Sequence, residues 1–581
     1  MPSFRITSIR RRKSTKGRLE NIVQISIGSQ GLVGHMTDRF AVNLVLKSEI
    51  MAVLSPTQLA LAFSFLWIAW KFFKGLVVKS PLNNIPGPPP KSFLLGNLPE
   101  IFNRWGWDFH KQICQYGTVI RLHSMPSWND MLFVYDPKAL HSIIVKDQYV
   151  YEETPIFLQF NKYFFGEGLL SSVGEQHRHQ RKLLNPVFHI NHMRYMTPIF
   201  YKVTYRLRNG LTNLVSQGPK EVDVINWMTR TALELVGQGG VGWSFDDLAE
   251  DVKNPFAEEM KALVPTTGPL FMFVRLLPYL SRIGSGSFRA WALENLPVAR
   301  IRKAKKAALA KGDEALLHQI GEGKDILSVL LKANMAASEE DKMPDSELHG
   351  HMAQLLFAAM DTTSGALSHI LHMLAEHQDV QERLRKEITD AQRSNDGDIP
   401  YDQLVSLPYL EAVCRETLRV HPPVLSLNRR TREDIIMPLS RPIVGKDGAS
   451  ISEIPIPKGT DIMIGILAAN TNKEYWGEDA DEWNPERFLK PLPDSIVDAH
   501  MPGIYSNMMT FLGGGRACIG FKFSQLEMKV VLSILVSTFK FELPKQEIYW
   551  NFGGLQFPTM GKSAHEKPQM YLKVSLANAK S

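Results

Sequence analysis

The chain has 581 residues, 44% of them hydrophobic and 22% charged, a globular composition with enough apolar material for a large core or more than one domain. Its three cysteines, Cys114, Cys414 and Cys518, form no even framework, which argues against a disulfide-stapled secreted scaffold and for a reducing compartment. The net charge of +7 does not point to nucleic acid: residues 1–50 carry nine Lys/Arg against three Asp/Glu, which leaves a nearly neutral body where nucleic-acid binding would need a basic face.

Residues 1–50 open with Arg10-Arg11-Arg12-Lys13 and are poor in acids, like an organelle transit peptide. A basic disordered tail or a gene-model extension is the plainer reading, because Met51 stands where a start would be sensible. From Met51 to Trp70 there is no charge, and apolar positions continue past Lys71 and Lys74 to Val78. About 20 apolar residues span a bilayer as a helix, so residues 51–78 are predicted to be one transmembrane anchor. Phe63, Phe65, Trp67, Trp70, Phe72 and Phe73 suit a membrane interface, and Lys71, Lys74 and Lys79 place the C-terminal side in the cytosol. Residues 79–92 contain Pro86-Gly87-Pro88-Pro89-Pro90, a stiff hinge that can be neither helix nor central strand. Residues 93–581 alternate short extended segments with many helical patterns, so the predicted fold class is mainly α with small β-sheets.

Within this body, His177 and Arg181 stand at i and i+4 on one helix face. Residues 237–242 fit G-x-G-x-x-G, but the preceding residues are helix-patterned rather than a strand, so a turn closing a helix is expected there. Asp345 and Ser346 are expected to cap a helix running to about Glu376. Its middle, Ala358-Ala359-Met360-Asp361-Thr362-Thr363, sets an acid and two hydroxyls in an apolar stretch, and buried polar groups must be paired or useful. Glu416 and Arg419 lie at i and i+3 on a helical stretch closed by His421-Pro422-Pro423, which alone would be a surface pair of little worth. Arg429 follows, and Arg487 sits in Trp483-Asn484-Pro485-Glu486-Arg487-Phe488. Finally, Phe511-Leu512-Gly513-Gly514-Gly515-Arg516-Ala517-Cys518-Ile519-Gly520 runs into helically spaced apolar residues over 521–538. Three glycines let the backbone approach a flat ligand, and a helix N-terminus beside Cys518 favours a thiolate.

The spacing of Phe511, Gly514, Arg516, Cys518 and Gly520 resembles the haem-binding signature of the cytochrome P-450 monooxygenase superfamily, and the other motifs occur in that family's order. The resemblance implies a cytochrome P-450 fold behind a single N-terminal transmembrane helix, with 93–581 as the haem-binding monooxygenase domain. It implies haem b (iron protoporphyrin IX) with the Cys518 thiolate as axial ligand, and Phe511 packed near the sulfur. Arg516, Arg181, Arg429 and His177 would hold the haem propionates, His177 replacing the usual tryptophan. Asp361 and Thr362 would guide protons to the oxygen site, with Ala359 where the family commonly has glycine. Glu416, Arg419 and Arg487 would form a structural triad.

The activity implied is insertion of one oxygen atom from O2 into a lipophilic substrate, with electrons from NADPH through a separate NADPH–cytochrome P-450 reductase and cytochrome b5 as an optional second donor. Localisation would be the endoplasmic reticulum membrane, single-pass, with the body facing the cytosol. A mitochondrial ferredoxin system is the alternative if the basic tail is a transit peptide. The pocket-lining segments would be residues 156–165, 270–273, 424–427 and 554–557, rich in Phe, Leu and Met, hence apolar. The histidine-containing segment and residues 183–188 resemble fungal members, which favours a terpenoid or sterol-like substrate over fatty acids and aromatic xenobiotics. Two further readings stay open: a haem-thiolate isomerase or dehydratase needing no reductase, and a non-catalytic haem-binding membrane protein.

Overall fold

The computed structural model of the chain describes residues 9–13, 19–23, 56–77, 80–125, 129–267, 325–336, 338, 342–562 and 567–577. It divides into two units, residues 1–78 and residues 79–581. In the first, strands Ile9–Lys13 and Leu19–Val23 pair antiparallel, and Pro56–Val77 is a helix of 22 residues. Proline at its first position and a run of Ala, Leu and aromatic residues without glycine before Gly75 favour that helix. It leaves Leu61, Phe63, Phe65, Leu66, Trp67 and Trp70 exposed. Among the described residues no helix is long and apolar enough to cross a membrane. Residues 51–55 and 78 of the expected anchor lie outside the described residues.

In the second unit helices dominate, with small sheets beside them, as expected. Its axis is the helix Asp345–Glu376, 32 residues and therefore about 48 Å long at 1.5 Å per residue. Leu356, Met360, Leu367, Ile370, Leu371 and Leu374 recur along it and are buried. Packed on it are helices Val224–Val236, Phe521–Thr538 and Pro408–Val420. The start of this helix corrects an expectation. Pro344, extended in backbone, holds the cap position, so Asp345 and Ser346 are already inside the first turn.

A five-stranded sheet fixes one edge of the future site. Its order is Val119–His123, Asp130–Val134, Asp461–Gly465, Ser426–Thr431, Tyr151–Glu153, with only the 130–134 and 461–465 pair parallel. The last pairing sets Glu153 opposite Arg429. The proline hinge lies along the first strand: Arg121 donates its N–H to Pro86 O at 2.8 Å, and a Cβ on Gly87 would stand 1.9 Å from Arg121 O. Residues 237–242 close the helix Val224–Val236 with a wide turn ending at left-handed Gly242 (φ 68°), as the reading of a turn rather than a dinucleotide fingerprint requires. The expected pocket segment 270–273 lies outside the described residues.

Candidate active site

The cysteine loop is shaped by close approach. A Cβ on Gly513 would stand 1.8 Å from Pro502 O, and one on Gly514, itself at φ 61°, would stand 1.8 Å from Ile144 O. Only glycine fits either place. Gly515 N–H donates to Gln148 Oε1 at 2.9 Å, and Cys518 N–H donates to Phe511 O at 2.9 Å, which folds the loop back on itself. The Phe511 ring packs with Phe521 (4.8 Å) and Tyr505 (5.8 Å). Gly520 caps the helix Phe521–Thr538, and a Cβ there would meet no atom within 4 Å.

The Cys518 side chain is exposed at its own surface yet densely surrounded by protein, as a group facing an internal cleft is. Burial pushes its thiol up, opposed by the Gly520 N–H and the Arg181 guanidinium. The helix N-terminus therefore does not by itself win a thiolate here; desolvation is the larger effect, and a bound metal cation would supply the missing stabilisation.

Beside the loop the structure gathers the expected cationic groups. Helix Gly174–Leu184 carries His177, buried, and Arg181, which donates to Ala517 O. Arg516 donates to Ser172 O at 3.1 Å and pairs with Glu152 at 3.0 Å. Arg429, on its strand, pairs with Glu153 at 2.7 Å. Burial first, then Arg516, Arg181 and Arg429, lowers His177 to about 3, so its ring is neutral near pH 7 and keeps one N–H to donate. Arg181 bonds Ala517 O next to Arg516, Arg516 and Arg429 hold the adjacent Glu152 and Glu153, and His177 lies one turn before Arg181, so the four groups gather at one place. Glu152 and Glu153 are not legible in the sequence, since two adjacent acids before a Thr-Pro carry no local signal of partners some 276 and 364 residues on.

The long helix holds a separate group. Asp361, its side chain 6% exposed, is paired with Lys261 at 2.7 Å, and Lys261 also donates to Ser364 Oγ at 3.0 Å. Lys261 was likewise invisible in the sequence, lying a hundred residues earlier on another helix, Pro255–Thr267. Thr362 donates its hydroxyl back to Ala358 O at 2.7 Å. The helix runs unbroken through Ala358 and Ala359. On the same stretch Phe357 stacks on Phe165 at 4.7 Å, and Phe160 packs on Phe164 at 4.3 Å, both from helix Pro155–Phe165. Among the described residues Asp361 bonds Lys261 and Thr362 bonds Ala358 O, and neither bond reaches the cysteine loop.

The third group is the triad. Glu416 and Arg419, both fully buried, meet through two bonds of 2.7 and 2.8 Å. Arg487 reaches Glu416 at 3.3 Å and Asp479 at 2.8 Å, and Asn484 N–H donates to Glu416 Oε1. Arg419 also donates to Asn470 O and Glu482 O, so one guanidinium ties three chain segments. A surface pair this is not.

A family model described as Cytochrome P450 matches residues 86–560. The chain belongs to the cytochrome P450 family. It is 52% identical to Cytochrome P450 monooxygenase 91 of Postia placenta over 90% of this chain and 99% of that protein. It is 45% identical to a ganoderic acid synthetase of Ganoderma lucidum, over 87% and 96%. It is 37% identical to the cytochrome P450 eriI of Hericium erinaceus, over 86% and 94%. This P-450 is thus an oxidoreductase of the monooxygenase kind, and its family carries haem with a cysteine thiolate as axial ligand, here Cys518. The residues present fit that group: an accessible thiol, an open side at Gly520, and three guanidiniums with a neutral imidazole suited to two carboxylates.

Proposed function

We propose that this P-450 hydroxylates a terpenoid or sterol-like molecule, drawing electrons from NADPH through a separate reductase, with cytochrome b5 as an optional second donor. The observation that carries the substrate class is the aromatic wall formed by Phe160, Phe164 and Phe165 against Phe357, one turn before Asp361. A ligand bound beside such a cluster would meet apolar rings rather than water. The similarity to a ganoderic acid synthetase supports the same class. The helix Pro56–Val77, which does not by itself meet the length and apolarity of a span but exposes aromatic residues suited to a membrane interface, is read as part of a membrane anchor, with the body on the cytosolic face of the endoplasmic reticulum, where a lipophilic substrate would enter from lipid.

The haem, when bound, supplies oxygen activation. The protein's own part is division of labour. Cys518 would ligate the iron, and Arg181, Arg429, Arg516 and the His177 N–H would hold the propionates. Thr362 Oγ and the Asp361 carboxylate hold and pass protons on the long helix, and Lys261 keeps that carboxylate in place. The buried triad holds Asn470, whose side chain in turn bonds Met509 and Thr510 just ahead of the cysteine loop.

A screen of lipophilic compounds for the Soret shift of substrate binding, followed by turnover with NADPH and reductase, tests the reading. Terpenoids and sterols should give the tightest shifts, and turnover should require the reductase. Tight shifts from charged compounds with none from terpenoids would overturn the substrate class, and turnover without any reductase would overturn the electron route.

A further inference from the structure

The propionate cluster contains more than it needs. Three guanidiniums would already outnumber two haem carboxylates, yet Glu152 and Glu153 are buried among them and paired to two of the three. A buried ion pair is weak support for stability, since desolvation offsets most of its attraction, so two adjacent ones ask for a role. Both carboxylates are fixed. Glu152 uses one oxygen for Arg516 at 3.0 Å and the other for the N–H of Gly174 at 3.1 Å, the first residue of the helix bearing His177 and Arg181. Glu153 holds Arg429 at 2.7 Å across the strand pair, while its main-chain oxygen accepts from Arg432 at 2.8 Å. Glu152 is thus held at both oxygens, and Glu153 by its guanidinium partner across the strand pair.

We propose that Glu152 and Glu153 are positioning residues that act on the haem through Arg516 and Arg429 and hold its reduction potential down. With haem in place, the three propionate-holding guanidiniums and the neighbouring Arg432 face four carboxylates rather than two. The two glutamates thus take the edge from net positive to near neutral, which favours ferric over ferrous iron, because low-dielectric surroundings screen such charges poorly. This rests on the reading of the three arginines as propionate holders.

Glu152→Gln and Glu153→Gln keep an acceptor oxygen of the same reach and remove only the charge. The midpoint potential of each purified holoprotein, titrated with mediator dyes, is read beside its haem content and its ferrous–carbon monoxide band. Each amide variant should raise the ferrous-to-ferric ratio at a fixed potential about threefold or more, a positive shift of about 28 mV at 59 mV per tenfold for one electron. Glu→Asp at either position keeps the charge and should stay near the parent midpoint. An unchanged midpoint in an amide variant with full haem overturns the proposal for that residue. Loss of haem from both amide variants also overturns it, since the glutamates would then brace the loop rather than tune the iron. An unchanged rate of haem loss in Arg429→Gln would remove the propionate reading itself, and the proposal with it.

Discussion

Asp361 and Thr362 are neighbours with different stakes in the fold. Thr362 returns its hydroxyl to Ala358 O, so Thr362→Ala removes one helix back-bond and leaves no buried charge behind. Haem and substrate binding should persist with little loss of stability, while oxygen use uncouples and hydrogen peroxide is released in place of product. Asp361→Asn is harsher, because Lys261, its side chain 8% exposed, would be left as an unpaired buried cation. Breaking one side of such a pair costs about 3–5 kcal/mol, so this variant should lose both coupling and unfolding midpoint. Peroxide-to-product ratios and urea midpoints, measured together, separate the two. Unchanged coupling in both variants would show that other groups supply the protons. At Gly514 the constraint is steric: a Cβ would fall 1.8 Å from Ile144 O at a backbone φ of 61°. Gly514→Ala should abolish haem uptake, seen as loss of the Soret band, while Gly397→Ala, also at positive φ but with no atom within 4 Å of its Cβ, should retain it.

At the scale of elements, three are stitched together by a ring stack that no motif announced. His369 on the long helix lies 3.9 Å from His421, just past the helix Pro408–Val420, and 3.7 Å from Trp550 on strand Ile548–Asn551. Trp550 donates to His372 Nδ1 at 3.1 Å. Burial, with the neighbouring His372 and Arg419, lowers His421 to about 3, and burial with His421 and His372 holds His369 well below 6.5. An unfolded chain takes up protons at these rings near pH 6.5 and the folded one does not, so their contribution is complete above pH 6.5 and is lost as pH falls toward about 3. For His421 alone the loss over that window is on the order of 5 kcal/mol at 1.36 kcal/mol per unit. Urea midpoints should therefore fall steeply between pH 6.5 and 4.5, and His421→Phe, which keeps a flat ring, should flatten that slope; an equally steep slope in the variant would place the acid sensitivity elsewhere. The stack also marks what the sequence could disclose. Helix Phe521–Thr538, the i, i+3 pair Glu416–Arg419 and the glycine loop were legible because their information is local in periodicity, spacing or φ. Glu153 opposite Arg429, Lys261 on Asp361 and the ring stack were not, because strand register and helix packing bring together residues far apart in the chain.

For the whole molecule, charge and core divide at the same place. Six of the seven surplus positive charges lie in residues 1–50, whereas among the described residues the buried hydrophobic ones are drawn from position 82 onward. A body with its own core and its own sheet edges does not need residues 1–78 to fold. A chain beginning at Lys79 should therefore take up haem and show the red-shifted carbon monoxide band of a thiolate ligand, and Cys518→Ala in that background should lose it. Its partitioning tests the anchor separately. If the helix Pro56–Val77 is what holds the protein to lipid, the full chain should stay with membranes through an alkaline wash and the shortened one should be released. Exposed Phe93, Leu94 and Phe102 on the body can add peripheral contact, which high pH and low lipid would reverse. Retention of the Lys79-start protein after the wash would move membrane binding from the N-terminal helix to the body.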